Sequence, residues 1–312
     1  QVRLAERLAE LLPSALQVSY FVNSGTEANE AALKLAKRAT GRTEIVSFKR
    51  SYHGNTQGSL SVSGNEQKKF AFRPLLPDVR FITFNEKEDL AQITEKTAGV
   101  IIEPIQGDAG VRKPDQAFLQ ALRDRCTEVG ALLIFDEIQT GIGRTGKWFA
   151  FEHFAVVPDI LTLGKALGAG MPIGAFVASK ELMHCWTHAP MLGHITTFGG
   201  HPVVCEAAQV GLKILQTEPW INEVAEKEAM FLSLLKHELI QEVRSAGLMF
   251  AVELDSPDRV QQVISYCREQ GLLAFWFLSC PESFRMQPPL CIENEQIEWA
   301  CKVILEALEA SK

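Results

Sequence analysis

The sequence has no basic tract, no apolar run of membrane-spanning length and no CxxC pair. Each absence excludes something. With a net charge of −7 and no interleaving of aromatic and basic residues, the chain is not built for nucleic acid or an anionic membrane surface. Without a long apolar run there is no helix to span a bilayer, and no signal peptide is visible. The seven cysteines (Cys126, Cys185, Cys205, Cys267, Cys280, Cys291 and Cys301) are odd in number and scattered. They read as buried thiols in a reducing, cytoplasmic compartment. His184 and His188 stand four apart, but HExxH is missing, so no metal site is expected and the two read as helix-surface histidines. No internal repeat or low-complexity stretch occurs. What remains is a soluble globular composition, 46% hydrophobic and 22% charged. At 312 residues the chain exceeds one simple core, so two lobes are expected.

What the chain does carry is organised around Ile160-Leu-Thr-Leu-Gly-Lys165-Ala-Leu-Gly-Ala-Gly-Met-Pro-Ile-Gly174. Ile160 to Leu163 reads as a short buried strand. Gly164 stops it, one lysine follows, and Gly168, Gly170, Pro172 and Gly174 forbid a regular helix or strand. A lysine at the end of a buried strand is costly unless it is paired or chemically used. The plain alternative is a lysine that reaches solvent along its aliphatic stem.

Ala131-Leu-Leu-Ile-Phe-Asp136-Glu137-Ile-Gln139 is a second buried strand, and it ends in carboxylates. In an open α/β sheet, ligands bind beyond the carboxyl ends of the strands. Asp136 and Lys165 are therefore expected in one crevice. A lysine able to form a Schiff base, with a carboxylate to hold a pyridinium nitrogen, is what pyridoxal phosphate chemistry requires.

Three stretches, DEIQTGIGRTG at 136–146, LTLGKALGAGMPIGA at 161–175 and TTFGGHP at 196–202, closely resemble class III aminotransferases. These are the ω-amino transaminases, including the ornithine, acetylornithine and 4-aminobutyrate enzymes. The resemblance covers nearly the whole chain. It implies an α/β fold of type I: a large, mostly parallel sheet domain flanked by helices, here residues 1–215, and a smaller C-terminal α+β domain, residues 216–312. It also implies pyridoxal 5′-phosphate as cofactor, an amine and a 2-oxo acid as substrates, and a homodimer or a dimer of dimers. Members of the family carry a further N-terminal segment that helps form the dimer and the substrate entrance. That segment is expected to be missing from this chain, which opens on Gln1 and a helix over Val2 to Leu12.

Along the chain, Asn23-Ser24-Gly25-Thr26-Glu27 precedes apolar residues at helical spacing, Ala28 to Ala39. Ser24 and Glu27 fit a capping box, and Glu30 to Lys34 an i, i+4 pair. The bland reading is a capped helix, and the sharper one a phosphate cradle of free amides with the hydroxyls of Ser24 and Thr26. The resemblance favours the cradle, because SGTEA is the family's phosphate loop. Tyr52-His53-Gly54 matches the family's aromatic-His-Gly, which implies a Tyr52 ring stacked on the cofactor, with His53 beside it. The next family residue is often an arginine for the distal carboxylate of the oxo-acid. Here it is Asn55. Glu103 reads as a strand-end carboxylate bonded to backbone amides. Asp108 stands where the family usually has a Glu that gates a substrate arginine. Arg285, before Pro288-Pro289, matches that arginine, which clamps a substrate carboxylate bidentately. Gln139 is expected on the ring hydroxyl, and Thr196 and Thr197 in a segment that reaches across the dimer, Thr197 to the partner's cofactor phosphate. Gly141-Ile-Gly143-Arg-Thr-Gly146 matches GxGxxG, but it does not open a helix directly after a strand and no acidic residue lies at the proper distance. Trp148, Phe149, Phe151 and Phe154 read as packing.

The resemblance thus implies transamination from an ornithine- or acetylornithine-like donor to 2-oxoglutarate, with Lys165 as general acid/base and Asp136 holding the ring nitrogen protonated. Other class III aminotransferases, with 4-aminobutyrate, lysine or diamino-acid donors, remain open. So do an aminomutase or decarboxylase on the same scaffold, and a cofactor-binding regulatory relic without turnover.

Overall fold

Strands that are apolar at every position belong in the middle of a sheet covered on both faces. Residues 1–312 are described by a computed structural model, and its strands obey that rule. The chain begins with α1 (Val2–Leu11), β1 (Val18–Val22), α2 (Gly25–Thr40), β2 (Glu44–Phe48), α3 (Gln57–Val62), α4 (Glu66–Lys69), β3 (Val79–Ile82) and β4 (Thr97–Ile102). It continues with α5 (Gln116–Val129), β5 (Leu132–Asp136), β6 (Ile160–Leu163), β7 (Gly174–Ala178), α6 (Lys180–His184) and α7 (Pro202–Thr217). These elements build a seven-stranded sheet in the order β1-β7-β6-β5-β4-β2-β3. Strands β3, β2, β4, β5 and β6 pair in parallel, while β7 runs antiparallel to both β6 and β1. Every residue of β4, β6 and β7 is buried.

Small residues set how closely α2 approaches this sheet. Ala28, Ala31, Ala32 and Ala36 are fully buried on its inner face. On the other face α5 docks through Phe118, which meets Phe48 edge-on at 6.1 Å and lies against Phe84 at 5.9 Å. Burying one such ring stabilises the fold by roughly 1.5–3 kcal/mol. Phe149, Phe151 and Phe154 are core residues, as expected.

The C-terminal part comprises α8 (Trp220–Leu234), β8 (Glu242–Ser245), β9 (Phe250–Glu253), α9 (Pro257–Glu269), β10 (Phe275–Trp276), β11 (Ser283–Met286) and α10 (Asn294–Ala310). Its antiparallel sheet has the order β10-β11-β9-β8. α8 stops at Leu234, and Glu242–Ser245 pairs with β9 as an edge strand. β10 is short, Phe275–Trp276 alone.

Two local expectations change at α2. Ser24 does cap it, accepting from Glu27 N at 3.3 Å. Glu27, however, reaches back one residue beyond the cap, to Asn23 N and Nδ2 at 2.8 and 2.9 Å, so the capping box is only half formed. Glu30 does not pair with Lys34. Its carboxylate accepts from Thr56 Oγ1, from Gly58 N at 2.8 Å and from Ser59 N at 3.0 Å. That contact explains α3, a helix its own Gly58, Ser59 and Ser61 would not favour. An anion delivered from another helix satisfies its free N-terminal amides and its dipole. Of the two spaced histidines, only His184 lies on α6; His188 follows the helix, with the rings 5.4 Å apart.

Candidate active site

Parallel strands deliver their carboxyl ends to one edge of the sheet. There β4 hands over to Glu103, β5 ends at Asp136, β6 stops just before Lys165, and β2 leads into the loop of Ser51 to Asn55. Because β7 runs the other way, its first residue, Gly174, reaches the same edge. A Cβ on Gly174 would lie 2.1 Å from Ser24 O, so only glycine lets the β1–α2 turn sit against β7.

These ends enclose a crevice of about 270 Å³. Its walls include Ser24, Gly25, Thr26, Tyr52, His53, Asn55, Glu103, Asp136, Gln139 and Lys165, joined by Gly54, Ile138 and Thr140. Asp108, Thr196, Thr197 and Arg285 are not in that wall. Thr196 Oγ1 accepts from Asn23 Nδ2 at 3.2 Å, and Thr197 is exposed.

Lys165 has a backbone φ of 43°, in the left-handed region that a side-chain-bearing residue enters only with strain. The turn is held by its neighbours: Leu167 N donates to Gly164 O at 2.9 Å, and Gly164 packs against Gly25. Its side chain opens to solvent through the crevice, yet the protein around it displaces enough water to lower the ammonium pKa. The carboxylates of Asp136 and Glu103 work against that shift, and Arg285 adds to it.

Asp136 is 4% exposed and held by three donors. Oδ2 accepts from Asn29 Nδ2 and His53 Nδ1, both at 2.8 Å, and Oδ1 accepts from Ile138 N at 3.1 Å. Three donors from three different segments hold the carboxylate in one orientation. Asn29 is itself fully buried. Its Nδ2 also donates to His53 O at 2.7 Å, and its Oδ1 accepts from Thr162 Oγ1 at 2.8 Å. One amide therefore ties α2, β5, β6 and the loop after β2 together. His53 Nε2 is buried with no partner in the protein. The sequence reading passed over Asn29, although an Asn within the apolar stripe of an Ala-rich helix is a signal. It also passed over Glu137, 1% exposed, which accepts from Ala150 N, Phe151 N and Thr140 Oγ1 at 2.7–2.9 Å. Burial pushes its carboxyl up to about 7, against the pull of those donors. Glu103 lies on the same edge; it accepts from Tyr52 N and Gly107 N, each at 3.0 Å, and burial likewise raises it to about 7. Those amides fix the loop that carries Tyr52, whose half-buried hydroxyl is raised by burial and by Asp108 and Asp136.

The opposite end of the crevice is the N-terminus of the 16-residue α2. Ser24 Oγ takes the amide of Glu27, which leaves those of Gly25 and Thr26 without an intrahelical acceptor. Thr26 Oγ1 lies 2.5 Å from Ser59 Oγ. A Cβ at Gly25 would stand 2.8 Å from Ile138, so the backbone comes close to the crevice only as glycine. Free amides, hydroxyls and a helix dipole at one end suit an anion. A buried carboxylate at the other suits a protonated ring nitrogen.

The gate expected between Asp108 and Arg285 is not formed. Asp108 Oδ2 accepts from Lys68 Nζ at 3.0 Å and from Ser279 Oγ at 2.8 Å, and Oδ1 from Leu278 N at 3.2 Å. Arg285 has no carboxylate at ion-pair distance; its guanidinium lies 5.7 Å from the ring centre of Phe275, its cross-strand neighbour. The cation that pairs with Asp108 is Lys68, on the short helix α4, which sequence spacing alone does not place.

A family model described as aminotransferase class-III matches residues 1–308. The chain belongs to the class III aminotransferases. It is 39% identical over 312 residues to the [LysW]-aminoadipate semialdehyde/glutamate semialdehyde transaminase of Sulfolobus acidocaldarius, covering 98% of this chain and 78% of that protein. It is 39% identical over 314 residues to the acetylornithine aminotransferase of Methanocaldococcus jannaschii, covering 96% and 76%. Among solved structures it resembles the ornithine aminotransferase from Toxoplasma gondii ME49, with a TM-score of 0.90, 31% identity and coverage of 98% and 75%. A transaminase from the marine bacterium Virgibacillus superposes with a TM-score of 0.92 at 28% identity, covering 99% and 79%. As a class III aminotransferase the protein is a fold-type I enzyme that uses pyridoxal phosphate and takes an amine and a 2-oxo acid. The crevice suits that cofactor: an anion cradle at Gly25 and Thr26, a buried carboxylate at Asp136, and an amine at Lys165 between strands. No helix of this aminotransferase is long and apolar enough to cross a membrane.

Proposed function

We propose that this aminotransferase moves the distal amino group of an ornithine- or acetylornithine-like donor to a 2-oxo acid, 2-oxoglutarate. The observation that carries the reading is the meeting of Lys165 and Asp136 at adjacent strand ends, in a crevice whose far end is the N-terminus of α2. The names of two relatives support a distal amine. Acetylornithine has its one free amine far from the carboxylate, and a semialdehyde has its carbonyl there.

In this reading Gly25, Thr26 and Ser24 hold the cofactor phosphate. Tyr52, Gln139 and Asp136, which line the same crevice, would hold the ring, with Asp136 as the carboxylate for its protonated nitrogen. Pyridoxal phosphate, when bound, supplies the electron sink that makes the carbon beside the transferring nitrogen acidic. Lys165 Nζ would hold the cofactor covalently and, once released, would serve as the general base that moves a substrate proton. Its lowered pKa makes a neutral amine available closer to neutral pH than an ordinary lysine would. Asn29 and His53 fix the Asp136 carboxylate, so the charge opposite the ring nitrogen needs no reorganisation during turnover. Arg285 takes the substrate carboxylate. Residues 1–215 form the cofactor domain and 216–312 the small one. The active unit is a two-fold dimer, with exposed Thr197 reaching the partner's cofactor phosphate.

Borohydride treatment of the holo-protein followed by peptide mapping tests the assignment. The tag should fall on Lys165, and Lys165→Ala should still bind cofactor while losing transamination. A tag on any other lysine overturns it.

A further inference from the structure

Three cations and three carboxylates share the region above the crevice, and their pairing is uneven. Asp136 and Glu103 are held inside. Asp108, 8% exposed, is not in the crevice wall, and its contacts are to Lys68, Leu278 and Ser279. Arg285 has no carboxylate at ion-pair distance, while Asp108 bonds to Leu278 and Ser279, in the loop of the same β10–β11 hairpin that carries Arg285.

We propose that Lys68 determines the enzyme's preference for carboxylate substrates by holding Asp108 away from Arg285. This rests on the transaminase reading above. A half-buried guanidinium beside an unheld carboxylate forms a charge-assisted pair, usually bidentate, and a substrate carboxylate must then displace it. Lys68 removes the competitor. Its Nζ, one quarter exposed on the side chain, lies 3.0 Å from Asp108 Oδ2 and 5.6 Å from the Tyr52 ring centre, so it stands over the wall of the crevice. Asn65, three residues earlier on the same loop, donates from Nδ2 to Ser279 Oγ at 3.0 Å, and Ser279 in turn donates to Asp108. The loop at α4 thus sets the carboxylate from two directions. The same arrangement answers the question raised by Asn55. With no arginine there, Arg285 is the guanidinium available to an acidic substrate, and keeping it unpaired matters more.

The test is a cycle of Lys68→Met, Asp108→Asn and the double variant. Glutarate, which cannot react, is titrated calorimetrically into each protein without cofactor, and the KM for 2-oxoglutarate is measured on each holoenzyme. Lys68→Met removes the cation paired with Asp108 and leaves its charge free to turn to Arg285, so glutarate binding should weaken and KM rise about tenfold, the scale of one charge-assisted contact. In the double variant no carboxylate is left to occupy Arg285, and both values should return to within about threefold of the parent, a difference of ~0.7 kcal/mol. Unchanged binding in Lys68→Met overturns the proposal. Weakened binding that the double variant fails to restore also overturns it, because Lys68 would then be touching the substrate itself or merely supporting the loop. Loss of half-transamination in the parent protein would instead refute the enzyme reading, and glutarate binding is independent of that.

Discussion

Replacing Asn29 by alanine should injure the enzyme more than any other single change outside the crevice wall. Asn29 is fully buried and makes three hydrogen bonds, to His53 O, to Asp136 Oδ2 and from Thr162 Oγ1. The two neutral bonds are worth about 1 kcal/mol each and the one to a carboxylate about 1.5–3 kcal/mol. Some of the loss is recovered: Asp136 retains His53 Nδ1 and Ile138 N, and Thr162 can turn fully to Phe135 O, now 3.5 Å away. Asn29→Ala should therefore lower stability by about 2–4 kcal/mol, read as the urea midpoint of the cofactor-free protein at constant slope. The holoenzyme should also lose about tenfold or more in the rate of the first half-reaction, because the Asp136 carboxylate is no longer fixed. Asn29→Asp separates structure from charge. It sets a second carboxylate where the amide now donates to Asp136 at 2.8 Å, so it should be worse than alanine at high pH and improve as the pH falls. A stability loss of less than about 0.5 kcal/mol in Asn29→Ala, the size of an inert surface change, would refute the account of the network.

Asp136→Asn should keep the fold and reduce turnover by several orders of magnitude, since a buried charge opposite the ring nitrogen is removed; near-normal single-turnover rates would count against the role. Glu137 gives a pH signature. Its folded-state pKa of about 7 exceeds the ordinary 4.5, so between those values the folded chain holds more protons than the unfolded one. Stability then falls as pH rises through that window, and Glu137→Gln should flatten this part of the melting-temperature profile; an unchanged slope speaks against it. Thr197 predicts that activity sediments with a dimer or larger species, and an active monomer would exclude the shared site.

The sequence announced the two strand-end residues because their chemistry contradicts their surroundings: a lysine and an aspartate at the ends of runs such as Ile160–Leu163 and Leu132–Phe135 are conspicuous. Glycines whose Cβ would collide with a neighbour, Gly25 and Gly174, were visible as punctuation but not as contacts. What spacing could not supply was the choice among partners. Glu30 was paired with Lys34 on its own helix, yet it serves α3, because three donors at that helix start outweigh an exposed i, i+4 pair worth a few tenths of a kcal/mol. Asp108 was given to Arg285 and belongs to Lys68 for the same reason: the loops from 64–69 and 277–280 converge on it, and convergence of distant loops leaves no periodic trace. Asn29 was legible in principle, as a polar residue on an apolar helix face.

The reversed strand β7 has a consequence for the newly made chain. β1 is made before every other strand of this sheet, and its only partner in the sheet is β7, pairing Val18 with Ala178 and Val22 with Gly174. Until Gly174–Ala178 has been synthesised, Val18–Val22 is a strand without a ladder, and Ser24 has no Gly174 to rest against. The phosphate cradle is thus encoded early and assembled late. Parallel pairings and contacts such as Asn29–Asp136, 107 residues apart, must close first, and such non-local closures are slow. Cofactor uptake by a nascent or refolding chain should accordingly mark the end of folding, and for much of its synthesis the protein presents an unpaired apolar strand for a chaperone to guard.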